Sequence, residues 1–90
     1  MPFENLPGGD LIADGIRDLE RGEPTVAALL VSIGAPRLRR NGFSLPEPLA
    51  SPEARLYETL SRQDCDAAHS RYNALVRRLV SFERAAECAR

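Results

Sequence analysis

Apolar residues recur at helical spacing just after the first nine residues of the chain. The positions that share this spacing are Leu11, Ile12, Ile16 and Leu19. Charged side chains take the opposite side, so the pattern predicts a short amphipathic helix with Asp10 as its N-cap. Gly22 is expected to end this helix, since glycine is favoured just beyond a helix C-terminus. Gly15 falls on the apolar side, where a glycine indicates close approach of a neighbouring helix.

The most apolar segment of the chain runs from Val26 to Ala35. Alanine and leucine outnumber β-branched residues in it, and Pro24 suits a first helical turn, so a helix is favoured over a buried strand. Because a helix that is apolar on nearly every side must be covered all round, we predict that this one is central. Gly34 and Pro36 are expected to break or kink it.

Residues 41–50 are predicted to connect the second helix to the third. Pro46 and Pro48 exclude a regular helix over this stretch. The segment is too apolar for a free linker. We therefore expect Phe43, Leu45 and Leu49 to pin it across the core.

The C-terminal part of the chain has no glycine or proline after Pro52. Ser51 and Pro52 form a helix start signal. An apolar stripe follows at alternating spacings of three and four, at Cys65, Ala68, Tyr72, Leu75, Leu79, Phe82 and Ala86. Residues 51–89 therefore form either one very long helix or two helices with a corner near Asp64. We favour the corner, because folding back buries more apolar surface in a small domain.

A length of 90 residues fits one small domain. The patterns predict an all-α fold, a compact four-helix bundle with a central apolar second helix and a long C-terminal helix. Residues 1–9 contain two prolines and two glycines and are expected to be a flexible N-terminal arm, while residues 10–90 form the single helical domain. Phe3 and Leu6 are candidates for docking the arm onto the domain.

Charge and targeting signals narrow the classes of function. The 12 basic residues, all arginine, and the 13 acids give a formal net charge of -1. This balance argues against a protein that coats nucleic acid or a membrane surface. We expect a cytoplasmic protein with no membrane contact and with reduced cysteines, because the N-terminus shows no secretory signal and Val26–Val31 is too short to span a bilayer.

Cys65 and His69 are the only pair that indicates site chemistry. They lie one helical turn apart, so a thiol- or metal-dependent site is one alternative function. A closed zinc site needs four ligands, and the chain has one histidine and two cysteines. We therefore expect no metal and no other cofactor. No Ser-His-Asp arrangement, phosphate-binding glycine loop or dinucleotide fingerprint is present, which predicts a non-enzymatic protein.

The cluster Arg37, Arg39 and Arg40 is the most distinctive charge feature. Arginine forks suit phosphate, so nucleic-acid binding through this cluster is the other alternative function. A helix-turn-helix is disfavoured, because Asn41 and Gly42 would end a recognition helix after about one turn. A second basic set follows at Arg71, Arg77 and Arg78.

The leading hypothesis is a protein–protein interaction or regulatory module, either with a protein partner or as a homodimer. It depends on the wide apolar stripe of the last helix, which a domain of this size does not fully cover. The candidate partner-binding residues are Arg37, Arg39, Arg40, Arg71 and Phe82. Residues 1–23 hold six acids and two arginines, whereas residues 24–46 hold three arginines and no acid. Such a split is suited to matching one subunit to the next.

Overall fold

A computed structural model of the chain describes residues 5–88. Its helices are α1 (Gly9–Glu20), α2 (Val26–Arg40), α3 (Pro52–Gln63) and α4 (Ala68–Cys88), with a 3-10 turn at Cys65–Ala67. There is no strand within the described range. The predicted all-α, four-helix fold is confirmed.

The second helix is central, as predicted, because α2 packs against α1, α3 and α4. Its core residues have no more than 1% exposure and are Ala28, Leu29, Leu30, Val31, Ala35 and Leu38. They face several directions around the helix axis, so each of the other helices finds an apolar side to cover. This arrangement buries α2, which is apolar on nearly every side.

Gly15 marks the closest approach of α1 to α2. A Cβ added there would lie 2.4 Å from both the Ala27 carbonyl oxygen and Val31 Cγ2, so no larger residue fits without movement of the backbone. Near the other end of α1, the Thr25 hydroxyl donates to Asp18 Oδ2 at 2.7 Å and accepts from the Ala28 amide at 3.1 Å. The prediction that Gly15 marks a close helix approach is confirmed.

Two predicted helix starts are wrong. Helix α1 begins at Gly9 rather than after Asp10, and its N-cap is Gly8, which adopts a left-handed conformation with φ of 76°. Helix α2 begins after Thr25 rather than at Pro24, because the Thr25 side chain caps it. In both cases the N-cap residue determines where the helix begins. Gly8 does so by adopting a left-handed backbone, and Thr25 does so through its side-chain hydrogen bond.

The expected break at Gly34 and Pro36 does not occur, because α2 continues to Arg40. Ala35 and Leu38, on either side of the proline, are both fully buried. Packing on both sides of Pro36 therefore stabilises the helix, although proline would destabilise the same helix outside the folded protein. Gly42, with φ of 95°, follows the helix end as predicted.

The connector between α2 and α3 lies against the core, and its packing is confirmed. Phe43, Leu45 and Leu49 are partly buried and pack on the core cluster. The buried Ser32 hydroxyl donates to the Ala28 carbonyl at 2.9 Å and accepts from the Leu49 amide at 3.0 Å. One hydroxyl thus fixes the end of the connector to the central helix.

The predicted corner near Asp64 is confirmed. Asp64 has extended backbone, with φ of −160° and ψ of 97°, and its carboxylate accepts from the Ala67 amide at 3.3 Å. At the start of α3, Pro52 occupies the first turn as predicted, although Ser51 makes no side-chain capping bond. The stripe prediction fails at Cys65, which is exposed.

The N-terminal segment meets the domain within its described part. Leu6 packs on the core, and a Cβ at Gly8 would lie 3.2 Å from the Arg78 carbonyl oxygen of α4. The docking predicted for Phe3 falls outside the described residues. Across residues 5–88, no helix has the combination of length and apolar character needed to cross a membrane.

Candidate functional site

Arg37 of α2 is held by two glutamates of α4. Its Nε and Nη2 donate to Glu87 Oε1 and Oε2 at 2.7 and 3.0 Å, and its Nη1 lies 3.6 Å from Glu83 Oε1. A bidentate arginine–carboxylate pair is among the stronger polar contacts in proteins. Arg37 therefore joins two helices, and its guanidinium fork is already occupied by protein groups.

Glu83 is a buried acid, with 4% exposure. It lies against Gly34, where an added Cβ would approach Glu83 Oε2 to 3.1 Å. Burial raises the pKa of Glu83, and the nearby charge of Arg37 opposes that rise. The hydrogen bond from Arg37 lowers the pKa of Glu87 and raises the pKa of Arg37 itself. The absence of a side chain at Gly34 provides the space for this contact.

The other two members of the predicted basic cluster also act within the molecule. Arg39 donates to the Pro46 carbonyl at 3.0 Å and so attaches the connector to α2. Arg40 adds positive charge that lowers the pKa values of Glu83 and Glu87. Within the cluster that the sequence indicated as a partner-binding surface, Arg37 thus joins α2 to α4 and Arg39 joins α2 to the connector.

Phe82 is part of the core. Its side chain has no exposure, and its ring centroid lies 5.6 Å from that of Phe43. A residue buried in this way has no surface to offer a partner. The expectation that Phe82 contacts a partner is therefore corrected, and its role is to join α4 to the connector.

Cys65 and His69 are both exposed at the corner between α3 and α4. His69 Nε2 lies 3.2 Å from Asn73 Nδ2, one turn further along α4. No group of three or more histidine, cysteine or acidic side chains is suitably placed for a metal ion within the described part of the chain. The pair remains a surface thiol and a surface imidazole with no third ligand beside them.

The solvent side of α4 carries four arginines, and its one exposed acid, Glu87, is paired with Arg37. We call this surface the arginine face, and its arginines are Arg71, Arg77, Arg78 and Arg84. Intervals of seven residues, about two turns, align the first with the third and the second with the fourth. Small exposed residues lie between them, at Ser70, Ala74 and Ser81. Both acids of α4 interact with Arg37 instead.

Most of the arginine face has no internal charge partner. Arg71, Arg77 and Arg84 make no ion pair with any residue in the range 5–88. Arg78 Nη2 lies 3.9 Å from Asp10 Oδ1, and the two side chains are 52% and 82% exposed. An exposed pair at this distance is weak. Sequence reasoning identified the first three arginines but missed Arg84, although its interval of seven residues from Arg77 was a readable signal.

The structure exposes less apolar surface for self-association than the sequence predicted. Among the described residues, Tyr57 is the only large hydrophobic side chain that is exposed, at 41%. Its ring centroid lies 5.8 Å from that of Tyr72, which is partly buried. Charge, rather than apolar area, therefore distinguishes the surface of α4.

A shallow groove of about 300 Å³ lies between the start of α2 and the outer side of α3. It is lined by Pro24, Leu29, Arg55, Glu58, Thr59 and Arg62. Its polar groups are directed at one another, because Arg62 pairs with Glu58 and Thr59 donates to the Arg55 carbonyl. The groove therefore does not offer a set of converging groups to a ligand.

No family model, no curated protein and no solved structure matches this chain. Any inference about function therefore depends on the residues and contacts described above. Of these, the arginine face is the surface whose charge is least compensated by the protein itself.

Proposed function

We propose that this protein is a non-enzymatic interaction module and that the arginine face of α4 binds an acidic partner protein. The observation that carries the proposal is that Arg71, Arg77 and Arg84 are exposed and form no ion pair within residues 5–88. Guanidinium groups match carboxylates in bidentate geometry, and such pairs give an interface its specificity. A regulatory or scaffolding role needs only this binding and no catalysis.

One further observation supports a protein rather than a nucleic acid as the partner. Arg37 and Arg39, which nucleic-acid binding through α2 would need, are engaged inside the molecule. The compartment we propose is the cytoplasm, since Cys65 and Cys88 are exposed thiols without a disulfide and such thiols persist in a reducing compartment.

The test is a binding titration with a fluorescent glutamate-rich peptide at about 50 mM salt, where screening is modest. The variant R77E/R84E reverses two charges of the arginine face. The control R55E/R62E reverses two arginines elsewhere, both on α3. We expect the first variant to weaken peptide binding at least about tenfold and the control to change it less than about twofold.

Equal losses in both variants, or no peptide binding by the unaltered chain, would contradict the proposal. A parallel titration with duplex DNA distinguishes the alternative partner class. DNA binding that is tighter than peptide binding, and that R77E/R84E abolishes, would assign the same face to nucleic acid instead. Circular dichroism of each variant confirms that the helical fold is retained.

A further inference from the structure

We infer that the acidic partner of the arginine face is a second copy of this chain, which contributes the outer side of α1. The inference rests on the proposed function and names its partner. The outer side of α1 and the turn after it carry exposed acids, at Asp10, Asp14, Glu20 and Glu23. Only Arg17 and Arg21 offset them there, and Arg17 is paired with Asp14 at 2.7 Å. Each copy therefore carries both a basic and an acidic surface.

The two surfaces adjoin each other on one molecule. Arg78 and Asp10 approach to 3.9 Å while both side chains stay more than half exposed, so the boundary between the surfaces lies in solvent. The backbone of Gly8, at the start of α1, lies directly against α4 near Arg78. The arginine face and the acidic side of α1 thus form one continuous surface whose sign changes at Asp10 and Arg78.

A surface of this kind is complementary to itself. A two-fold axis through the boundary sets the arginine face of each copy on the acidic side of α1 of the other, so two equivalent contacts form at once. This isologous arrangement closes after two copies. The small net charge of -1 leaves little overall repulsion between them. Because the contact is made by exposed charges, it depends on ionic strength.

The experiment is a charge-swap complementation followed by sedimentation velocity. The variant R71E/R77E/R84E reverses three of the four charges of the arginine face and so makes it acidic, and the variant D14R/E20R makes the acidic side of α1 basic. In either variant alone, both contacts of a dimer bring like charges together. In an equimolar mixture, both contacts again bring opposite charges together.

We expect the unaltered chain to form a dimer at about 0.5 mM protein and about 20 mM salt, and to dissociate at about 0.5 M salt. Each variant alone is expected to be monomeric. Their mixture is expected to form a closed one-to-one dimer with a Kd within about threefold of the unaltered value. Far-UV circular dichroism of each variant must match that of the unaltered chain, and D14R/E20R must still bind the glutamate-rich peptide.

A monomeric unaltered chain at low salt would overturn the inference, as would a mixture of folded variants that stays monomeric or forms open chains larger than two. If a variant does not fold, the salt dependence of the unaltered chain decides, because a dimer that persists at high salt is not held by these charges. A monomer that still binds the glutamate-rich peptide would leave the proposed function intact and reject only the second copy as partner.

Discussion

The arginines of α2 and those of α4 have the same side chain but opposite surroundings. Arg37 meets a bidentate carboxylate from a residue 50 positions away, whereas Arg77 and Arg84 meet no acid within residues 5–88. A run of arginines along the sequence therefore does not indicate a binding surface by itself. Whether the arginines stay available to a partner depends on whether another helix places an acidic side chain beside them.

The contact between α2 and α4 explains why that acid is available. We call this contact the α2–α4 seam, and it is formed by Gly34, Arg37, Leu79 and Glu83. Leu79 and the Glu83 carboxylate occupy the space that a side chain at Gly34 would fill. The seam therefore combines apolar packing with a buried acid. The outer side of α4, which carries the arginine face, has neither.

Filling the seam should produce the largest effect. Gly34→Leu places a bulky side chain where even a Cβ would lie 2.8 Å from Leu79 Cδ1. Overpacking of this kind costs about 2 kcal/mol of unfolding free energy even after the gain in helix propensity. The matched control is Ala74→Leu on the exposed arginine face, which should change stability by less than about 0.5 kcal/mol. Urea unfolding measures both, and equal losses would show that the seam is not tightly packed.

Removing one arginine from each region should produce the next largest effect. Arg37→Ala leaves the buried Glu83 without its nearest cation, so the urea midpoint should fall clearly. Arg77→Ala removes an arginine that has no internal ion pair and should leave the midpoint unchanged within error. A variant that retains arginine-like length without charge, Arg37→Met, should lose nearly as much as Arg37→Ala. Equal midpoints for the Arg37 and Arg77 variants would remove the distinction between the regions.

Local signals were sufficient for much of the fold. Gly15 on an apolar face indicated a close helix approach, and Asp64 in a polar interruption indicated a corner, because each feature depends on residues within a few positions. The course of α2 through Pro36 was not predictable in this way. The burial of Leu38 in the core cluster outweighs the local preference of proline.

The candidate site was predicted only in part, for the same reason. Sequence spacing revealed Arg71 as one of a basic set, but no local signal shows that Glu83 and Glu87 occupy Arg37. That pairing depends on how α2 and α4 are placed relative to each other. Phe82 was correctly placed on the apolar stripe, yet its full burial depends on the connector that covers it.

The pH dependence of stability should show the smallest effect and is specific to the seam. Burial raises the pKa of Glu83, so the folded chain binds this proton more tightly than the unfolded chain does. The contribution of Glu83 to stability is therefore greatest at acidic pH and is lost as pH rises through the raised pKa. Arg37 and Arg40 from α2 and Glu87 from α4 are the charged groups around it. Glu83→Gln should therefore be at least as stable as the unaltered chain at pH 7, and this advantage should shrink as pH falls toward about 4.5.

Glu87→Gln is the control of opposite sign. The hydrogen bond from Arg37 lowers the pKa of Glu87, so its contribution is present above the ordinary glutamate pKa and is lost as pH falls through the lowered value. This variant should therefore be less stable than the unaltered chain at pH 7, with a deficit that closes in acid. Urea unfolding at several pH values measures both differences against the same background of other carboxylates. If the stability differences of the two variants from the unaltered chain changed in the same direction with pH, the seam would not contain one buried acid and one paired acid. The contrast between the two arginine regions would then need a cause other than the buried charge.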